Sequence, residues 1–258
     1  MTLARKISPS PFSVRQFLKK LAPSGLLSAW RGYKSTKHQR NFENLSTREV
    51  FTKIYEESIW GKSPDPEQRY FSGWGSHDPA IVGVYVKAVE SFVASLEKKP
   101  NVVDLGCGDF VVGSKFRNLC EGYIACDIVE SVIKFNREKY KTLSVDFRVL
   151  DLSTDPLPPG DVVFLRQVLQ HLPNDVIQRA IPRIASKYKY LVLTEHLPDT
   201  EGYVPNVDHP AGPDVRSVLG SGLILTLPPF NLRVMEERVL CEVPDPSGVI
   251  RTNLYRLA

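Results

Sequence analysis

An α/β domain built on a mostly parallel sheet is the fold class that this sequence predicts, and three observations predict it. From Val102 onward, short apolar strands alternate with helix-length segments at the spacing of strand–helix crossovers. The first of these strands runs straight into Asp104-Leu105-Gly106-Cys107-Gly108, an acid and two glycines in one tight turn. The chain closes with strand-like runs at 234–243 and 249–257, joined by Pro244-Asp245-Pro246-Ser247-Gly248. A turn that short joins antiparallel neighbours, so the sheet ends in a hairpin.

Each element has its own signature. Residues 1–42 hold nine Lys/Arg and no Asp or Glu, so the remaining 24 of the 33 basic residues face all 29 acidic ones. The overall charge of +4 therefore conceals a basic arm (1–45) ahead of a mildly acidic domain (46–258). Around residues 14–21 of the arm, Val14, Phe17, Leu18 and Leu21 share a helical face beside Arg15, Lys19 and Lys20. Such an arm suits peripheral contact with an anionic membrane, an organelle transit segment, or a solvating tail. Ser46-Thr47-Arg48-Glu49 has the shape of a helix start, with Val50, Phe51, Ile54 and Tyr55 as the apolar stripe behind it. A helix over 81–96 follows, and residues 46–100 together read as a helical cap. Strands are predicted at 102–105, 122–126, 147–150, 161–165 and 190–194. Helices are predicted around 113–120, at 131–140 and from Asn174. Residues 198–230, rich in Pro, Gly and Asp without period, read as a lid.

The bulk properties narrow the function. Apolar content of 42% and charged content of 24% suit a globular domain, and no run reaches the roughly 18 apolar residues of a membrane span. Cys107, Cys120, Cys126 and Cys241 form no Cys-x-x-Cys pair, which predicts reduced thiols, a cytoplasmic setting and no structural zinc. No spacing of His, Cys or carboxylates supports any other metal site. A nucleic-acid substrate would rest on the basic arm alone, so it is not favoured.

The loops that end the strands carry the chemistry. Right-handed crossovers bring the carboxyl ends of all parallel strands to one rim. There the sequence places the glycine loop, then Asp127 at the end of the second strand and Asp151 at the end of the third. Two ribose hydroxyls call for a carboxylate acceptor and an adenine amine for another. A dinucleotide loop needs a third glycine at position 111, which is Val.

This pattern resembles the class I S-adenosylmethionine-dependent methyltransferases, a seven-stranded Rossmann-like fold. The resemblance implies S-adenosylmethionine as cofactor, with Asp104, Gly106, Cys107 and Gly108 at its methionine end and Asp127 on the ribose. It implies Ile128, Asp151 and Leu152 around the adenine. A narrower resemblance, to bacterial methyltransferases of polysaccharide and glycan biosynthesis, covers most of 50–231. It rests on Trp60-Gly61, Ser72-Gly73-Trp74-Gly75-Ser76, Cys107-Gly108-Asp109-Phe110, Asp127-Ile128-Val129, Arg166 with His171-Leu172, and Pro228-Pro229-Phe230-Asn231. It implies a sugar or glycan hydroxyl as acceptor, and the chain departs from it at Gln167, where an acid is expected. Pro228-Pro229-Phe230 also resembles a motif of amino-methylating nucleic-acid enzymes, but Leu227 stands where that motif needs a polar residue.

An alcohol acceptor must lose a proton, which calls for a base, and His is the natural one. His171 follows the fourth strand and His196 the fifth, and of these His171 is the first candidate; His77 lies in the loop ahead of the sheet. Arg166 ends the fourth strand, where it can meet the cofactor carboxylate or an acidic group of the substrate. Trp74, Ser76 and His77, with Asn206, Asp208 and Arg216 of the lid, are the candidate acceptor contacts. Two other classes stay open: a protein or RNA methyltransferase, and a non-catalytic module on the same fold.

Overall fold

The computed structural model describes residues 41–246 and 248–258. The arm helix expected around 14–21 lies outside the described residues, as does nearly all of the basic arm.

Seven strands form one sheet: β1 (Asn101–Leu105), β2 (Gly122–Asp127), β3 (Asp146–Val149), β4 (Val162–Arg166), β5 (Tyr190–Leu197), β6 (Val234–Asp245) and β7 (Gly248–Leu257). Their order is β3-β2-β1-β4-β5-β7-β6. The first five are parallel, and β7 pairs antiparallel with both β5 and β6. The predicted fold class is the observed one. Because β1 is flanked by β2 on one side and β4 on the other, strand order reverses there. A crevice opens at that switch point, above the carboxyl ends of the strands.

Both faces of the sheet are covered, so its central strands read as unbroken apolar runs. In β1, Val103 and Leu105 face one core cluster while Val102 faces the other; β4 repeats this with Val163 and Leu165 against Val162 and Phe164. Helix α1 (Thr47–Glu56) begins with the predicted capping box, in which Ser46 Oγ accepts from Glu49 N and Glu49 Oε2 accepts from Ser46 N at 2.8 Å. It buries Val50, Phe51, Ile54 and Tyr55 on the first face, alongside α4 (Asn174–Ala185). Helix α2 (Pro79–Ala94) buries Val82, Tyr85, Val89, Phe92 and Val93 on the second, and α3 (Glu130–Lys139) follows β2.

Three expectations change. Residues 46–100 are not one cap, since α1 and α2 lie on opposite faces of the sheet. The helix expected around 113–120 is two 3-10 turns, Gly113–Lys115 and Arg117–Leu119. Residues 198–230 are packed down rather than free-standing. Leu223 and Leu225 enter the core, and the segment carries a short 3-10 turn at Arg216–Leu219. Among the described residues no helix is long and apolar enough to cross a membrane, and no group of three or more His, Cys, Asp or Glu could hold a metal.

Candidate active site

The glycine loop sits in the crevice. Gly106 (φ +77°) and Gly108 (φ +53°) take the left-handed backbone that lets the chain fold back on itself. Gly106 N and Cys107 N both donate to Cys126 O, at 2.8 and 2.9 Å, which fastens the loop to β2. A Cβ on Gly106 would come within 2.5 Å of Val168 Cγ2, so the close approach of this turn to the end of β4 requires glycine. Asp127 ties the other side: its carboxylate accepts from Gly108 N and Val129 N, both at 3.0 Å. Burial pushes Asp127 up to about 6, with those two N–H donors holding it down.

The segment before α2 closes over this loop. Ser72 N donates to Asp109 Oδ2 at 2.8 Å, and Asp109 N donates back to Ser72 Oγ at 2.9 Å. Tyr55 Oη meets the same Ser72 Oγ at 2.9 Å, and His77 Nε2 lies 2.6 Å from Asp109 Oδ2. The aspartate of Cys-Gly-Asp-Phe is thus the anchor of the 72–77 segment.

A cavity of about 250 Å³ results, and it is lined by three kinds of surface. Ile128, Leu150 and Leu152 form an apolar slot with Asp151 at its edge; the Asp151 carboxylate also accepts from Ser153 N and Oγ. Deeper, Asp104 and Arg166 stand among Tyr85, Tyr123 and Phe164. Burial pushes Asp104 up to about 7, against the Tyr123 hydroxyl that donates to it at 3.0 Å and the Arg166 charge nearby. Arg166 lies over the Tyr85 ring at 4.9 Å and donates to Ser76 Oγ, Gly75 O and Gln167 Oε1, none of them a carboxylate. Its Nε is buried without a partner among the described residues.

This donor set fits a nucleoside joined to an amino acid. A buried guanidinium with an unused N–H beside a buried carboxylic acid can take the two ends of an α-amino acid zwitterion. Asp127 would meet the ribose, and the apolar slot suits a flat base. Arg166 and Asp104 would hold the methionine end of S-adenosylmethionine, and Asp127, Asp151, Ile128 and Leu152 its nucleoside.

The third surface combines polar amides with aromatic rings. Gln167, Gln170 and His196 stand at the β4–β5 edge of the cavity, and Phe51, Tyr55, Trp60 and His171 form a wall with Pro213 and Val215. Trp60 Nε1 donates to Pro213 O at 3.1 Å, so the 198–230 segment is fastened to the chain after α1. His196 belongs to β5 itself, which runs on to Leu197. Gln167 holds φ +57° at the end of β4, with its N–H on Thr194 O at 2.7 Å.

His171 does not match the expected base. It is buried; its Nδ1–H donates to Asp214 O at 3.1 Å, and Gln170 Nε2 lies 3.3 Å from Nε2. Burial pushes it down to about 3, so the ring is neutral and both nitrogens are engaged by protein. His196 also titrates below the ordinary range, through burial opposed by Asp245.

The residues expected to contact the acceptor divide. Ser76 lines the cavity and bonds Arg166. Trp74 is 48% exposed, and neither it nor His77 is among the lining residues. The expectation for Asn206, Asp208 and Arg216 is corrected, because all three hold the 198–230 segment together. Asn206 Nδ2 donates to Ile224 O and Pro228 O, and Oδ1 accepts from Ile224 N at 2.8 Å. Asp208 accepts from Asn174 N at 2.7 Å, at the start of α4. Arg216 is fully buried and donates to Val207 O and Leu172 O. Sequence reasoning named Gln167 and Asp109 only within motifs and missed Gln170. Their polarity is ordinary for loops, and only their three-dimensional partners mark them.

Comparison with known proteins agrees with this geometry. A family model described as "Methyltransferase domain" matches residues 102–189, from β1 to just before β5. No curated protein matches the chain. Among solved structures it is similar to the N-methyltransferase NodS of Bradyrhizobium japonicum WM9 with S-adenosyl-L-homocysteine. The identity is 16%, the TM-score 0.53, and the coverage 74% of this chain and 94% of that one. Magnesium protoporphyrin IX methyltransferase of Synechocystis PCC 6803, with bound SAM, aligns at 15% identity and TM-score 0.54 over 84% and 99% of the two chains. Human N-acetylserotonin methyltransferase aligns at 18% and 0.52, over 83% and 60%. At such identities these likenesses show the shared fold.

Proposed function

We propose that this chain, an S-adenosylmethionine-dependent methyltransferase of the class I fold, methylates a hydroxyl of a small polar acceptor such as a sugar or glycan unit. One observation carries the acceptor reading. The cavity surface not matched to the cofactor has hydrogen-bonding amides and an imidazole (Gln167, Gln170, His196) together with aromatic rings (Phe51, Trp60). A sugar ring offers hydroxyls to the first and an apolar C–H face to the second.

When bound, S-adenosylmethionine supplies an electrophilic methyl group on a sulfonium. The chain's own task is positioning. Arg166 and Asp104 would hold the amino-acid end and Asp127 the ribose, with the Gly106–Gly108 backbone lining the cavity beside them. The Ser72–Asp109 bonds hold Gly75 and Ser76 against Arg166, which limits water beside the charged groups. Gln167, at the end of β4, presents its amide to the acceptor side.

The test is isothermal calorimetry with S-adenosylhomocysteine, then a screen of nucleotide-sugars and oligosaccharides with labelled methyl donor. Binding is expected, its loss in Asp127→Ala, and label on at least one sugar hydroxyl. Label on added protein or RNA instead would overturn the acceptor reading, and no binding at all would leave a non-catalytic module.

A further inference from the structure

Asn136 is polar where α3 calls for an apolar side chain. The helix buries one stripe, Val132, Ile133 and Asn136, and Asn136 is wholly enclosed in it. The orientation of its amide is fixed, because Nδ2 stands 2.7 Å from Gly108 O and a carbonyl can only accept. Oδ1 is left buried with no partner among the described residues. A leucine would fill this place without that cost. The hydrogen bond that the side chain does make is to the glycine loop.

That bond falls where the loop needs it. Every backbone N–H from Gly106 to Asp109 is engaged by protein: Gly106 N and Cys107 N by Cys126 O, Gly108 N by Asp127 Oδ2, and Asp109 N by Ser72 Oγ. The loop therefore serves the cavity by its shape. The 108–109 peptide is trans and planar, so its carbonyl and its N–H point in opposite directions. Gly108 O reaches Asn136 on α3, and Asp109 N reaches Ser72 on the segment before α2. Cys107 Sγ, 3.7 Å from Gly108 O, is a far weaker donor. The next carbonyl, Asp109 O, accepts from Tyr140 Oη at 3.2 Å, just past α3, and from Gln68 Nε2 at 3.4 Å. Asn136 itself is not among the residues that line the cavity.

We propose that Asn136 is a positioning residue for the cofactor. By holding Gly108 O it keeps the 108–109 peptide stretched between α3 and Ser72, and so keeps the glycine loop in the shape that receives the methyl donor. This rests on the cofactor reading of the cavity and not on the nature of the acceptor. Helix α3 suits the task because both of its ends bear on that site. Its start follows directly on Asp127 and Ile128, and Val129 N donates to the Asp127 carboxylate. Its last full turn carries Asn136. An ionised carboxylate in place of this amide would repel Gly108 O and accept the Asp109 N–H instead. The peptide would be drawn round, and its bond to Ser72 would break.

The experiment uses the full chain with ¹³C-carbonyl glycine and ¹⁵N-aspartate. Two peptides, 108–109 and 160–161, join Gly to Asp, so a carbonyl-to-amide correlation spectrum holds two peaks and the second is an internal control. Affinity for S-adenosylhomocysteine is read by calorimetry. Asn136→Asp is expected to shift the 108–109 peak, speed exchange of the Asp109 N–H with solvent, and weaken binding about tenfold. Relative to the wild type, the weakening is expected to grow from about pH 6 to about pH 8.5, because a protonated carboxyl can still donate to Gly108 O and an ionised one cannot. Asn136→Leu, close in shape to asparagine, guards against misfolding of the first variant. It is expected to bind about threefold more weakly while melting close to the wild type, since the unpaired Gly108 O it leaves offsets the unpaired Oδ1 it removes. Affinities within about twofold of the wild type in both variants, or an unmoved 108–109 peak in Asn136→Asp, would overturn the proposal. So would equal losses in the two variants that follow their melting temperatures and ignore pH, the signature of a packing residue. Absence of binding by the wild type would instead sink the cofactor reading, and the 108–109 peak would still show whether Asn136 holds that peptide.

Discussion

Ser72 and Asp109 bond each other twice, each donating its backbone N–H to the other's side chain, at 2.8 and 2.9 Å. Thirty-seven residues apart in sequence, they join the segment before α2 to the loop after β1, and the cavity floor depends on that join. Asp109 is buried, and its carboxylate also meets His77 Nε2. Asp109→Asn puts an amide where a carboxylate accepted a backbone N–H, and Ser72→Ala removes the reciprocal acceptor. Loss of the bond to the Asp109 carboxylate costs about 1.5–3 kcal/mol, and of the one to the Ser72 hydroxyl about 0.5–1.5 kcal/mol. Both variants are expected to melt lower and to bind S-adenosylhomocysteine about tenfold more weakly, as read by thermal unfolding and calorimetry. Unchanged affinity in both would show that the join does not shape the site.

Gly108 tests the same junction from the loop side. A Cβ there would stand 2.9 Å from Tyr55 Oη and closer still to Ser72 Oγ, on a backbone at φ +53°. Gly108→Ala therefore combines a left-handed strain of about 1–2 kcal/mol with a displaced Ser72. Its expected signature is a larger loss of cofactor affinity than of thermal stability, because the crowding falls on the cavity side. The corresponding change at Gly73, where a Cβ meets nothing within 4 Å, carries only the backbone strain.

How far the sequence reveals this protein follows from the range of each interaction. The strands were legible because burial on both faces makes each a short apolar run, and the Asp-x-Gly-x-Gly turn was legible because backbone geometry demands glycine. The hairpin was legible from its turn length. The 113–120 segment misled because Phe116 and Leu119 carry helical spacing, while the chain there only turns twice. The histidines misled for another reason. His171 and His196 look alike in sequence, and nothing local shows that Asp214 O and Gln170 hold the first ring or that Gln167 and Gln170 flank Nδ1 of the second. Arg216 read as an exposed loop cation because nothing local shows that Leu172 O and Val207 O await it.

That correction of Arg216 has its own consequence. A substrate contact on the surface would raise KM on removal and leave stability alone. Arg216 is fully buried and satisfies two backbone carbonyls, Val207 O and Leu172 O. Arg216→Ala is expected to lose about 2–5 kcal/mol of stability, since it leaves two buried carbonyls without their donors and opens a space in the packed segment, measured by denaturant unfolding. Arg216→Lys, which keeps the charge but not the forked donor, should lose less and retain KM.

The pH dependence of folding follows from buried groups that act in opposite directions, three carboxyls against one imidazole. Burial pushes Glu195 up to about 8, with Arg216 and the Gln170 and Leu169 N–H groups opposing it. The folded chain therefore holds that proton across a range where the unfolded chain releases it. The stability this contributes is complete below the ordinary carboxylate range and is lost as pH rises from there through about 8. Asp104 and Asp127, pushed up to about 7 and about 6, act in the same sense over narrower ranges. His171, pushed down to about 3, does the reverse: below the ordinary imidazole value the unfolded chain gains a proton that the folded chain refuses, so stability falls with acidification. Glu195→Gln removes the first effect while leaving an oxygen to accept from Gln170 N. The variant's melting temperature is expected to decline less than the wild type's between pH 6 and about 8, by several degrees on the scale that links stability to melting in a chain of this size. His171→Asn is expected to flatten the acid limb instead. Parallel wild-type and Glu195→Gln curves across that alkaline interval would mean that Glu195 is already ionised in the folded protein.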